Sequence, residues 1–193
     1  MKSLNLNGNR LGDKSFSEVC VGISKNSSLE RLSIASNELG HTSSVIIGTV
    51  LRYDKKIKFL DASKNYFSDE IIKNLLKGLI SNSCLETLLL NENNLTDSSL
   101  KHFETTLSVN STMKEIFLEK NLFGQNSSSK FLSIMSKNIT VKFISLIGNK
   151  LNSQFAEDMI ENKRKMPVKV VTKLDYLQMK TKADENINFH EFY

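Results

Sequence analysis

The stretch LETLLLNENNL, residues 85–95, decides the fold of this chain. Apolar residues stand at Leu85, Leu88, Leu90 and Leu95, and an asparagine, Asn93, stands between the last two. The same asparagine returns every 28 residues, at Asn9, Asn37, Asn65, Asn93, Asn121 and Asn149. A fixed period of this length predicts six similar structural units, stacked side by side over roughly residues 1–151.

Each unit predicts one strand followed by one helix. The alternation of Leu88 and Leu90 is typical of a strand with one buried face, and six such strands predict a parallel sheet. Apolar residues then recur at the i, i+3, i+4, i+7 spacing of an amphipathic helix, as in residues 72–79. The period-28 asparagines are expected to be buried, with each amide bonding to backbone groups of its own unit and the next.

Two further columns of polar residues mark the ends of the helices. Aspartates at the helix starts are expected to accept hydrogen bonds from the first turn of their own helix: Asp13, Asp69 and Asp97. Residues at the helix ends are expected to take the left-handed conformation that closes a helix: Asn26, Asp54, Asn82, Asn110 and Asn138.

Composition narrows the function classes. The 193 residues carry a net charge of +5, but the lysines are scattered along the chain, and much of the excess positive charge lies after residue 162. No nucleic-acid partner is therefore expected. No apolar run approaches the ~18–20 residues of a membrane span, and no signal peptide begins the chain. Two cysteines in different parts of their units, Cys20 and Cys84, predict a reduced, cytoplasmic protein.

The 28-residue period with a full helix in each unit resembles the ribonuclease-inhibitor class of leucine-rich repeats. Residues 11–39 and 95–123 are similar to its consensus, and the resemblance covers about three quarters of the chain. It implies an α/β right-handed solenoid shaped like a horseshoe, with the parallel sheet on the concave face and the helices on the convex face. The class includes ribonuclease inhibitor, nucleotide-sensing receptor ectodomains, GTPase-activating proteins of the Ran type, actin-regulating capping-protein linkers and effectors of intracellular bacterial pathogens.

The predicted solenoid spans residues 1–177 and comprises the six 28-residue units and a closing strand. That strand is expected in MPVKVVTKLDYL, where Val171, Leu174 and Tyr176 follow a degenerate template. Residues 178–193 form a C-terminal tail. The first unit begins inside its strand, so we expect either a fragment of a longer chain or an edge that meets a partner.

The outward positions of the strands carry the candidate site. In units three to six they include large apolar residues and acidic residues, which form the candidate site: Phe59, Tyr66, Leu89, Glu92, Glu115, Phe117, Glu119, Leu122, Phe143 and Ile147. An apolar patch ringed by charge is typical of a protein interface, and its acidic residues favour a partner that presents lysines or arginines. The alternative is that curvature lets the aromatic rings cover one another.

No nucleophile motif, metal-ligand cluster or phosphate-binding loop is found in the sequence, so no catalytic residue, metal or cofactor is predicted. The sequence predicts a non-catalytic module, a monomer in isolation, that binds a folded protein with its concave face. If that partner is an enzyme, covering its active site would inhibit it. Two alternatives stay open: a Ran-type GTPase-activating protein, for which Arg10 is the candidate catalytic residue, and a ligand-sensing fragment of a larger receptor. If the chain is an effector of an intracellular bacterial pathogen, it is expected to act in the host cytosol.

Overall fold

A computed structural model describes residues 1–152, Phe155 and residues 169–171. Strands and helices alternate along the chain. The elements are β1 (Ser3–Asn5), α1 (Gly12–Lys25), β2 (Arg31–Ser33), α2 (His41–Tyr53), β3 (Phe59–Asp61), α3 (Asp69–Ile80), β4 (Thr87–Leu89), α4 (Leu100–Leu107), β5 (Glu115–Phe117), α5 (Ser128–Lys137), β6 (Phe143–Ser145) and β7 (Lys169–Val171). Single 3-10 turns, Asp97–Ser99 and Gln125–Ser127, lead into α4 and α5.

The seven strands form one parallel sheet in chain order. From β1 to β6 each residue pairs with the residue 28 positions later, as Leu60 does with Leu88. The α/β class and the parallel sheet are therefore confirmed. β7 lies within the predicted stretch MPVKVVTKLDYL, but its register differs from the template. Ile144 pairs with Val170, four residues before Leu174, which the template placed at that position. Leu174, Tyr176 and the boundary at residue 177 lie outside the described residues.

One apolar core fills the space between the sheet and the helices. The central residue of each strand from β2 to β6 points into it: Leu32, Leu60, Leu88, Ile116 and Ile144. These side chains are buried with helix residues such as Phe16, Ile47 and Leu75. The first and third residues of each strand point the other way, onto a face that none of the described helices covers and that we call the open face.

The period-28 asparagines form a hydrogen-bonded ladder at the end of the strands. The Asn93 amide donates to the Leu90 carbonyl at 3.1 Å and to the Ala62 carbonyl of the preceding unit at 3.2 Å. Its oxygen accepts from the N–H groups of Asn65 and Phe67. Burial is confirmed for Asn37, Asn65, Asn93 and Asn121. It is wrong for Asn9, which is exposed in the first unit, and only partly right for Asn149, which is half-buried. The predicted bonding to the next unit was wrong, because the Asn93 side chain bonds to backbone groups of its own unit and of the preceding one.

A second asparagine ladder lies at the helix ends. The Asn110 amide donates to the carbonyl groups of Leu79 at 2.8 Å and Asn82 at 3.1 Å, both in the preceding unit. The predicted left-handed closure is wrong, since Asn26 and Asn138 are extended, with φ −86° and −97°. The asparagine amide bonds to carbonyl groups that the end of the preceding helix leaves without a partner. Because Asn26 and Asn138 are extended, the chain passes from them directly toward the next strand.

The aspartates at the helix starts also bond between units. Asp13 accepts from the N–H groups of Gly40 at 2.8 Å and Thr42 at 2.9 Å, in the first turn of the following helix α2. Asp97 accepts from Gly124 N–H at 2.7 Å in the same way. The predicted capping of their own helices is wrong, because each carboxylate lies over the next helix. Both asparagine ladders and this aspartate row therefore join consecutive units.

Candidate protein interface

The open face is built from two rows of side chains. The first row contains Ser3, Arg31, Phe59, Thr87, Glu115 and Phe143, and the second contains Asn5, Ser33, Asp61, Leu89, Phe117 and Ser145. Neighbours within a row lie on adjacent parallel strands, ~4.8 Å apart, so their side chains can touch. The exact 28-residue register produces these rows.

The aromatic centre of this face lies on β5 and β6. The Phe117 and Phe143 rings are 5.2 Å apart between centroids and inclined by 45°. Leu89 precedes Phe117 in the second row, and all three side chains are half-buried. The rings therefore cover part of each other, as the packing alternative expected, and keep the remaining surface exposed.

Phe59 lies apart from this pair. The guanidinium of Arg31 stands over the Phe59 ring at 3.8 Å, a cation–π contact. Thr87 and Glu115 separate Phe59 from Phe143 in the first row. The structure thus divides the predicted patch into a Phe117–Phe143 centre and an Arg31–Phe59 pair.

The acidic residues differ in how much charge they leave available. Glu92 lies between two lysines, 3.6 Å from Lys64 and 3.2 Å from Lys120, so its charge is largely balanced. Glu115 accepts from the Thr87 hydroxyl at 3.1 Å, and Glu119 accepts from the Ser145 hydroxyl at 2.6 Å. Since those donors are neutral, Glu115 and Glu119 carry the negative charge beside the aromatic centre.

The remaining predicted residues lie at the rim, on the turns that follow the strands. Tyr66 is 58% exposed and Leu122 is 42% exposed, while Ile147 is half-buried. In these turns Lys64, Glu92 and Lys120 take φ between 51° and 53°, a left-handed conformation that keeps the turn tight. Sequence reasoning did not detect this conformation, because Lys and Glu are not the residues that usually signal it.

The two cysteines occupy different environments. Burial raises the pKa of the Cys20 thiol to about 12, so it is inert at neutral pH. Cys84 is half-buried just before β4. Within the described part of the chain, no helix is long and apolar enough to cross a membrane.

A parallel sheet in chain order, a 28-residue register and a buried asparagine ladder define a leucine-rich-repeat-like protein. Comparison with protein-family models gives no match. Protein CARMIL of Dictyostelium discoideum is 31% identical over 97 residues, which cover 48% of this chain and 9% of CARMIL. The chain thus spans less than a tenth of that relative.

A solved structure of leiomodin-1 actin-binding site 2 has a similar fold. Its TM-score is 0.64 at 12% sequence identity, over 89% of this chain and 95% of the leiomodin-1 chain. At this identity the likeness concerns the fold alone. Neither comparison favours the ribonuclease-inhibitor class over other leucine-rich repeats.

Proposed function

We propose that this chain is a non-catalytic protein-interaction module, a leucine-rich-repeat solenoid whose open face is concave and binds a folded protein. The observation that carries the proposal is the half-buried Phe117–Phe143 pair, 5.2 Å apart on the face without helices. Large side chains that are partly exposed and ringed by polar groups are the usual anchors of protein interfaces.

The binding centre consists of Leu89, Phe117 and Phe143, with Ile147, Leu122 and Tyr66 toward the turns. Glu115 and Glu119 place negative charge beside it. A partner that offers an apolar surface flanked by lysine or arginine would satisfy both features. Because Lys64 and Lys120 balance Glu92, that carboxylate contributes less than its two acidic neighbours.

Actin is the first partner to test. Support comes from leiomodin-1 actin-binding site 2, which shares the fold over 89% of this chain. Inhibition of an enzyme is a narrower form of the same proposal, in which the concave face covers the partner's active site. The Ran-type and receptor-fragment alternatives stay predictions; Arg10 is exposed in the first unit, away from the aromatic centre on β5 and β6.

The direct test is titration calorimetry of the purified chain with monomeric actin. Phe117→Ala removes the centre of the site and should weaken binding at least tenfold, or ~1.4 kcal/mol. Ser33→Ala is the matched control, because Ser33 lies in the same row of the sheet as Phe117. The ring contact with Phe143 contributes ~0.5–1.5 kcal/mol to stability, so thermal melting must accompany each titration.

A second experiment tests the surface whatever the partner is. A photo-crosslinking amino acid replaces Phe117 or, as control, Val45, which is 42% exposed on α2. In a lysate of the source cells, Phe117 should capture a defined protein that Val45 does not. If the native chain does not bind actin, only the choice of actin as partner is rejected. Capture through Val45 and not through Phe117 would reject the open face as the interface.

A further inference from the structure

A row of charged residues lies at the start of the strands, at the opposite end from the turns that follow them. One residue per unit immediately precedes each strand: Lys2, Glu30, Lys58, Glu86, Lys114 and Lys142. We call this the pre-strand row. Lysine and glutamate alternate through the first five members, and opposite charges pair, Lys2 with Glu30 at 3.3 Å and Lys114 with Glu86 at 2.7 Å.

The alternation breaks in the sixth unit, where Lys142 stands in place of a glutamate. The Lys142 N–H donates to the Lys114 carbonyl at 2.7 Å, so the two lysines lie on directly neighbouring chain segments. Like charges at such positions repel. The Lys114 ammonium turns to Glu86, and the Lys142 ammonium donates to the Ile139 carbonyl at 2.7 Å.

The positive charge in this part of the row is only partly balanced by ion pairs. Among the described residues, no carboxylate lies within 4.0 Å of the ammonium groups of Lys58 or Lys142. The Lys114 ammonium, by hydrogen bonding to Glu86, lowers the pKa of that carboxyl. Glu86 is therefore already engaged and cannot also neutralise Lys142.

These lysines line a cleft of about 540 Å³. Its wall includes Ile139, whose side chain is 73% exposed, and the half-buried Cys84. Its floor is held by the second asparagine ladder, since Asn110 and Asn138 accept from the N–H groups of Thr112 and Thr140. The cleft thus combines three cations, one carboxylate and an exposed apolar side chain on a fixed backbone.

We propose that this cleft binds an acidic segment of a protein partner, an extended peptide with carboxylates at alternate positions and an apolar residue against Ile139. Alternate side chains of an extended chain lie ~6.7 Å apart, within reach of lysines on strands spaced ~4.8 Å apart. Ile139 favours a peptide over a nucleic acid, because it gives an apolar side chain a contact that a phosphate backbone would not use. The site is separate from the open face and does not depend on the function proposed for it.

The probe is a fluorescein-labelled peptide of twelve residues in which glutamate alternates with serine and one central serine is replaced by leucine. Its fluorescence anisotropy is titrated with the full chain at low salt, where charge attraction is least screened. Lys142→Glu should weaken binding at least tenfold and should keep or raise the melting temperature, because it restores the alternation beside Lys114. Loss of binding without loss of stability separates a binding role from a structural one.

The matched control is Lys130→Glu, which makes the same charge change at an exposed position of α5 outside the cleft. It should bind the peptide within twofold of the native chain, as should Phe117→Ala on the open face. Equal weakening by Lys142→Glu and Lys130→Glu would overturn the proposal in favour of net charge alone. Displacement of the peptide by a single-stranded oligonucleotide of equal length at lower concentration than unlabelled peptide would also overturn it.

Discussion

Two glycines bring helices α2 and α3 into backbone contact, and replacing one of them gives the sharpest test of the packing. A Cβ added at Gly78 would overlap the carbonyl oxygen of Gly48, and it would lie 2.6 Å from the carbonyl carbon of Gly48 and 2.7 Å from its Cα. Carbon atoms in contact normally lie ~3.5–4.0 Å apart, so Gly78→Ala would force the helices about 1 Å further apart. The two helices belong to consecutive units, so the displacement strains the core between them.

The size of the effect follows from two opposing terms. Overpacking usually costs about 1–3 kcal/mol, and this clash belongs to the upper part of that range, about 2–3 kcal/mol, because it is with backbone atoms that cannot rotate away. Alanine gains about 1 kcal/mol over glycine in a helix interior, which offsets part of that cost. We therefore expect Gly78→Ala to lower the free energy of unfolding by about 1–2 kcal/mol. For a chain of this size the melting temperature should fall by about 2–8 °C.

Gly22→Ala on α1 is the matched control, because a Cβ there would meet no atom within 4 Å. It keeps the helix-propensity gain without the clash, so it should raise the free energy of unfolding by roughly 0.5–1 kcal/mol. The assay is thermal unfolding followed by circular dichroism at 222 nm, with both variants measured beside the native chain. If Gly78→Ala were as stabilising as Gly22→Ala, the helices would not be in backbone contact and the reasoning would be wrong.

Two further predictions concern the polar rows. Asn93→Ala should destabilise the chain by roughly 1–3 kcal/mol in denaturant unfolding, because it leaves buried backbone groups of two units without partners; an unchanged midpoint would contradict this. Burial acts to raise the pKa of Asp13, but hydrogen bonds from Ser43, Gly40 and Thr42 outweigh it and hold the pKa below its ordinary value. The stabilisation is therefore present above the unfolded-state pKa and is lost as the pH falls through the lower folded-state pKa, so the melting temperature of Asp13→Asn should fall less than that of the native chain below about pH 4.

The repeat period was a reliable guide to which residues share a row, and a poor guide to which unit each residue bonds. Leu60 and Leu88 occupy equivalent places in the sheet, and their burial follows directly from the alternation. In a strictly periodic sequence, however, a contact with the same unit and a contact with the neighbouring unit leave the same pattern. The sequence therefore could not show that Asp13 caps α2 rather than α1, or that Asn110 bonds to Leu79 of the preceding unit.

The sequence was also a poor guide where the chain departs from the 28-residue period. β7 pairs with β6 outside the 28-residue register, so the degenerate template around Leu174 did not locate the strand in which Val170 pairs with Ile144. On the open face the sequence predicted which side chains point outward but not how they pair. The Arg31–Phe59 contact and the balance of Glu92 by Lys64 and Lys120 depend on side-chain conformations that a column of residue types does not specify.

The fold requires the inward apolar column, the two asparagine ladders and the aspartate row, because these groups fill the core or join the units. It does not require a particular residue on the open face or in the pre-strand row. Two features of these surfaces lie in the same units. The open face gains the Phe117–Phe143 pair on β5 and β6, and the pre-strand row loses its alternation at Lys114 and Lys142, immediately before the same two strands. A single partner that contacts units five and six would account for both features, if it offers apolar and basic groups to the open face and acidic groups to the lysine cleft. Its affinity would then fall with added salt, because salt screens the contacts in the cleft. It would also fall when the Phe117 or Phe143 side chain is truncated.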